Sequence, residues 1–167
     1  MPPLRPHRLA TLLLLLGVGC HGISVDSSHD PDTDFTKLKT YDWLPPTPQA
    51  FTAVSDEVLL RLIGAELEAK GFTRDTRQPD LLVSAHRSIE GSLNTKSSGY
   101  EFRDGRMRRY TLQEGTLVVD LVAAGTRAVA WRGTATGAFK FDSMPAERQE
   151  RLTEILHDMF ADFPPGR

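Results

Sequence analysis

The chain has 167 residues, of which 40% are apolar and 25% charged, with a formal net charge of −2. This composition suits one folded domain with a real core and excludes a largely disordered chain. The slightly acidic balance lacks the basic footprint of a nucleic-acid binder, and the one long apolar run, at the N-terminus, excludes a polytopic membrane protein.

Residues 1–20 divide into three parts. Arg5, His7 and Arg8 form a basic start, Leu9 to Leu16 an apolar block broken only by Thr11, and Gly17, Val18, Gly19 and Cys20 a small-residue close. The block is too short to span a ~30 Å hydrocarbon layer and has the layout of a secretory signal. Cys20 is the chain's single cysteine and stands where cleavage would fall, so no internal disulfide can form. The segment resembles a bacterial lipoprotein signal, in which the cysteine thiol is acylated and becomes the new N-terminus. That resemblance implies a signal peptide over 1–19 and a membrane anchor of acyl chains, palmitate among them, on Cys20. Each buried methylene of such chains adds ~0.8 kcal/mol of membrane affinity. Removing residues 1–19 takes Arg5 and Arg8 away and leaves 18 basic against 22 acidic residues, a balance of −4. His21, rather than Asp, follows the cysteine. In lipoproteins of enterobacterial type this implies an outer-membrane protein facing the periplasm.

Residues 20–36 are polar, with Ile23 and Val25 alternating against Ser24 and Asp26 as in a short strand. A single domain is expected over 37–165. Leu38 to Leu44 reads as its first strand, stopped by Pro45, Pro46 and Pro48. Ser55 is the N-cap expected for a helix over Val58–Lys70, with Leu59, Leu62, Ile63 and Leu67 at helical spacing. Gly71 suits a left-handed position after the helix, and Phe72 the apolar contact of a Schellman motif.

Leu81 to Ile89 is a strand with Leu81, Val83 and Ala85 on one face and Ser84, His86 and Ser88 on the other. Gly91 to Gly99 is rich in Ser, Asn and Gly and reads as a loop. Asp104-Gly105 signals a two-residue hairpin turn between Tyr100–Arg103 and Arg106–Tyr110, which sets Phe102 opposite Met107 and Glu101 opposite Arg108. Thr116 to Ala123 and Ala128 to Phe139 form a second hairpin. Placing Leu121 beside Trp131 necessarily places Asp120 beside Arg132, so this polar pair marks the register. Pro145 opens a last helix with Leu152, Ile155, Leu156, Met159, Phe160 and Phe163 at helical spacing, ended by Pro164 and Pro165. The order predicts an α+β fold: a largely antiparallel sheet with both helices packed on one face. The expected core is Leu59, Ile63, Leu67, Leu152, Ile155, Met159 and Phe160 against Leu117, Val119, Leu121 and Trp131.

Several phrases together resemble the bacterial lipoproteins of the domain of unknown function 4136 family. They are Phe35 to Trp43, Ala69-Lys70-Gly71-Phe72, Pro79 to Val83, Glu114 to Leu121, Trp131-Arg132-Gly133 and Phe163-Pro164-Pro165. The resemblance implies a lipid-anchored envelope protein and transfers no catalytic residue. Family members often carry a Gly- and aromatic-rich run where this chain, between Gly91 and Tyr110, is basic.

Candidate chemistry is sparse. Ser84, His86 and Asp120 share a predicted sheet face, but no Gly-x-Ser-x-Gly elbow accompanies them. Asp30, Asp32 and Asp34 imitate the start of a calcium loop, yet its sixth place is Phe35 rather than Gly and its twelfth Tyr41 rather than Glu. His157 lies on the polar side of the last helix. No catalytic residue, metal site or cofactor is expected. Arg103, Arg106, Arg108 and Arg109 cluster at a hairpin tip and are candidate contacts for anionic head groups or a partner, at about 1 kcal/mol per residue near a charged surface. The expected function is a non-enzymatic envelope module that binds a protein, glycan or lipid. The alternative is an envelope hydrolase or metal-dependent enzyme with its site on the sheet face.

Overall fold

A computed structural model describes residues 22–45, 57–89, 96–140 and 145–166. Residues 1–21, among them the expected signal peptide and Cys20, and Pro46, Pro48, Ser55 and Asp56 lie outside the described residues. The fold is α+β, as expected. Among the described residues, seven strands form one sheet: β1 (Ser24–His29), β2 (Thr40–Trp43), β3 (Thr73–Arg74), β4 (Leu81–Ile89), β5 (Lys96–Arg103), β6 (Arg106–Ala123) and β7 (Val129–Lys140). Helices α1 (Glu57–Ala69) and α2 (Pro145–Met159) complete it.

The strand order is β1-β7-β6-β4-β2-β3, with β5 also paired to β6. β1–β7, β7–β6, β6–β4 and β6–β5 are antiparallel, whereas β2 runs parallel to β3 and β4. The parallel part follows from chain path. α1 separates β2 from β4 and carries the chain back to the end from which β2 started, which is the route a parallel pair requires.

Three expectations need correction. The reading of Gly91 to Gly99 as loop fails from Lys96 onward, because β5 already pairs there, Lys96 opposite Gln113. Backbone ladder bonds need no apolar alternation, so a Ser- and Gly-rich stretch can be a strand beside a stronger one. The strands read separately at Arg106–Tyr110 and Thr116–Ala123 are one 18-residue strand. Phe163 is not a helical residue: α2 ends at Met159, and Phe163 lies in the turn beyond it.

Local chemistry explains the element ends. Gly71 stands at φ 87° after α1, the Gly71 amide donates to the Glu68 carbonyl at 2.9 Å, and the Phe72 amide donates to Leu67 at 3.0 Å. This is the expected Schellman motif, and Leu67 and Phe72 are both buried. Asp34 caps the 3₁₀ turn Phe35–Lys37, accepting from the Thr36 amide.

Asp80 ties the parallel pair together. Its Oδ2 accepts from the Lys39 amide at 2.8 Å, the Thr40 amide at 2.9 Å and the Thr40 hydroxyl at 2.9 Å. The Asp80 amide donates back to the Thr40 Oγ1 at 2.9 Å. One carboxylate thereby satisfies two amides at the head of β2 that would otherwise lack partners.

Both helices cover the same sheet face. Leu59, Ile63, Leu67, Ile155, Met159 and Phe160 are buried there against Leu117, Val119, Leu121 and Trp131, with Leu152 half-buried. Five rings lie at the centre. Phe163 sits 5.7 Å from Phe35, 5.4 Å from Phe72, 5.3 Å from Trp131 and 5.7 Å from Phe160, centroid to centroid. Gly133 makes room for α2 beside them. A methyl group there would collide with Met159 and with the outer edge of Trp131.

Burial raises the Asp80 pKa, but the hydrogen bonds from Lys39 and Thr40 outweigh it and hold the carboxyl below its usual 3.8. A depressed carboxyl stabilises the fold above its unfolded pKa and loses that contribution as pH falls through the folded one. Asp80→Asn should therefore cost about 1–3 kcal/mol in urea unfolding at pH 7. The gap between wild type and variant should narrow as the pH falls below 3.8. A gap independent of pH would show that the charge is not what ties β2 to β4.

Candidate functional site

The sheet face away from the helices is mostly polar, with Leu82, Val118 and Val122 interspersed. Side-chain alternation brings Ser84 and His86 of β4, Asp120 of β6 and Arg132 of β7 to it. Asp120 and Arg132 are direct cross-strand partners, and Leu121 lies beside Trp131, the register expected from alternation. The guanidinium is bidentate. Arg132 Nε donates to Asp120 Oδ1 at 2.6 Å and Nη2 to Oδ2 at 2.9 Å. Asp120 is 6% exposed, so the guanidinium shields a nearly buried carboxylate. Hydrogen bonding to Asp120, and then its charge, hold the Arg132 pKa above its ordinary value.

Ser84 Oγ and His86 Nε2 lie 2.9 Å apart, and Ser84 is the register partner of Asp120. The three residues of the hydrolase alternative do meet. Their order differs from a relay, in which the carboxylate orients the histidine from its far nitrogen. Here the carboxylate is opposite the serine, and both its oxygens bond to Arg132.

The Asp30 segment uses its carboxylates locally. Asp30 accepts from the Asp32 amide at 3.1 Å and the Thr33 hydroxyl at 2.9 Å, and Asp34 from the Thr36 hydroxyl at 2.6 Å and the Lys37 ammonium at 2.9 Å. Those bonds, the Thr36 hydroxyl foremost, lower the Asp34 pKa to about 2. Among the described residues, no three His, Cys, Asp or Glu side chains are placed to hold a metal ion. A shallow cleft of about 320 Å³ lies between β1 and α2, lined by Ile23, Val25, Ile155 and the polar Arg151, Glu154, His157 and Asp158. His157 is exposed, with Nδ1 3.7 Å from Glu66 Oε1.

The second candidate is the β5–β6 hairpin. Asp104 and Gly105 have φ 50° and 74°, the pair of positive angles that a two-residue type I′ turn requires. Phe102 pairs with Met107, Glu101 with Arg108, Arg103 with Arg106 and Tyr100 with Arg109. Arg106, Arg108 and Arg109 are exposed; the Arg103 side chain lies outside the described set. Tyr100, Phe102 and Met107 are also exposed, at 70%, 76% and 71%. Sequence reasoning singled out the arginines and missed these three. The signal was available: apolar residues at alternate positions on facing strands share one face.

The bidentate pair gives a direct test. Arg132→Ala leaves Asp120 buried without its partner and should cost about 1–3 kcal/mol. The double variant Asp120→Ala/Arg132→Ala should fall short of the summed single costs by about 0.5–3 kcal/mol. Additive costs in chemical denaturation would show that the two side chains are not coupled.

A family model described as Domain of unknown function (DUF4136) matches residues 25–165. No curated protein matches the chain. Among solved structures, the chain is similar to a PDZ domain protein from Parabacteroides distasonis. That likeness has a TM-score of 0.58 and 17% identity, and covers 87% of this chain and 36% of the other. The chain thus spans little more than a third of that protein, and the likeness shows a shared fold. Two structures of the PelC dodecamer from Paraburkholderia phytofirmans are also similar, with TM-scores of 0.44 and 0.47 and identities of 16% and 14%. They cover 83% and 84% of this chain and 97% and 96% of theirs. With the family match running from the second residue of β1 to the turn beyond α2, the chain belongs to the DUF4136 family.

Proposed function

We propose that the protein is a lipoprotein of the bacterial cell envelope, held to the outer membrane by acyl chains on Cys20 and facing the periplasm. Its domain is a non-enzymatic binding or structural module. The observation that carries this reading is the place of the only cysteine. It closes the small-residue end of the signal segment and stands four positions before Ser24, the first residue of β1. An acylated N-terminus there leaves the sheet intact and adds a tether too short to separate the domain from the membrane.

The polar sheet face supports the non-enzymatic part. Ser84 and His86 are hydrogen-bonded, but Asp120 is bound to Arg132 instead of orienting the imidazole. The pair suits a rigid recognition surface better than a Ser-His-Asp triad, in which the carboxylate orients the imidazole. A protein, glycan or lipid of the envelope would be its partner.

Replacing Cys20 with Ser tests the anchor. The variant should lose its acyl chains and leave the outer-membrane fraction, while its folded domain remains as stable as wild type. Fractionation of Cys20→Ser with the outer membrane, unchanged from wild type, would refute the reading.

A further inference from the structure

The topology sets the hairpin at the same end of the sheet as the start of β1. Ser24 pairs with Thr136 and Thr136 with Thr116, so these three residues lie at one level across the sheet. From that level β1 begins and leads back toward Cys20. β6 leads in the same direction toward its own beginning, but much farther. At ~3.3 Å per residue, the turn at Asp104-Gly105 lies about 35 Å beyond Thr116 along β6. The arm from Ser24 to Cys20 spans at most about 14 Å when fully extended. Beyond Leu112, which pairs with Lys140 at the end of β7, only β5 accompanies β6 among the described residues.

The two faces of this projecting ribbon differ. Tyr100, Phe102 and Met107 share one face by alternation and by the Phe102–Met107 pairing, and all three are more than two-thirds exposed. Arg106 and Arg108 occupy alternate positions on the other face and are exposed, and Arg109 flanks Met107. Apolar and aromatic side chains backed by arginines match a bilayer interface, where rings and thioethers enter the acyl boundary and guanidiniums bind phosphates.

We propose that the β5–β6 hairpin is a second membrane contact of this protein, laying Tyr100, Phe102 and Met107 into the headgroup region of the bilayer that holds Cys20. This inference rests on the anchor reading above. With the tether so short, the end of the sheet that carries β1 stays near the bilayer, and the longer ribbon leaving that end meets the lipid. The second contact fixes the orientation of the domain. A tether alone permits rotation, whereas two contacts present the Asp120–Arg132 face in one direction.

The test uses acylated protein reconstituted into vesicles of phosphatidylethanolamine and phosphatidylglycerol. Acylation occupies the Cys20 thiol, so Met107→Cys supplies one free thiol for an environment-sensitive fluorophore. Gly125→Cys supplies the control, in the β6–β7 turn at the opposite end of the sheet, where an added Cβ meets nothing. Flotation of each sample reports the anchor. Lipids brominated on their acyl chains should quench the residue 107 label and leave the residue 125 label unchanged, and aqueous iodide should do the reverse. Samples that float while iodide quenches both labels equally would overturn the hairpin contact and leave the anchor standing. Samples that do not float would overturn the anchor and the hairpin contact with it.

Discussion

The domain depends on the ring of Phe163. It comes from the turn after the last helix, yet it touches Phe35 from the 3₁₀ turn, Phe72 from the end of α1, Trp131 from β7 and Phe160 beside α2. The sheet contributes one ring, and the turns and helix ends around it contribute the other four. Aromatic side chains bury roughly 150–250 Å² each, so a five-ring cluster supplies a large share of the core of so small a sheet. It also fixes geometry. Trp131 can stack on Phe160, 4.8 Å away, only because Gly133 leaves space for Met159.

That cluster makes the sheet two-sided. The helices cover the face that carries the rings and leave the other to Ser84, His86, Asp120 and Arg132. It also limits how much of the sheet is covered. The buried apolar residues of β6 fall at Leu117, Val119 and Leu121, near its C-terminal end, and the N-terminal half of the strand runs on past the core. The projecting hairpin is a direct consequence. Its Phe102 and Met107 are left exposed beyond the helix-covered part of the sheet.

Much of this was legible in the sequence because side-chain alternation is strict. It predicted β4 to the residue, the Phe102–Met107 pairing, and the Asp120–Arg132 pair with its register. Alternation identifies faces but does not identify neighbours. The parallel β2–β4 pairing is tied by hydrogen bonds that Asp80 accepts from residues some forty positions earlier, and no local pattern announces them. β3 has two residues, Thr73 and Arg74, too few for any period to show. Lys96 to Gly99 became a strand because β6 offered a ladder, not because the residues prefer one. Phe163 fits the helical spacing of α2 by coincidence, since its place is set by the four rings around it. The candidate site was half legible for the same reason. Charge at the hairpin is visible in sequence, whereas exposure of its apolar face depends on where the helices end.

The phrases that tie the chain to its family acquire physical meaning in this fold. Phe35, Phe72, Trp131 and Phe163 build the ring cluster, Asp80 ties the parallel strands, and Asp120 with Arg132 sets the central register. In this chain each of these residues has a structural role in the scaffold. The most direct measurement is the intact mass of the native protein extracted from the envelope. The account predicts a chain that begins at Cys20 and carries three acyl chains. A chain that begins elsewhere, or one with an unmodified Cys20 thiol, would contradict it.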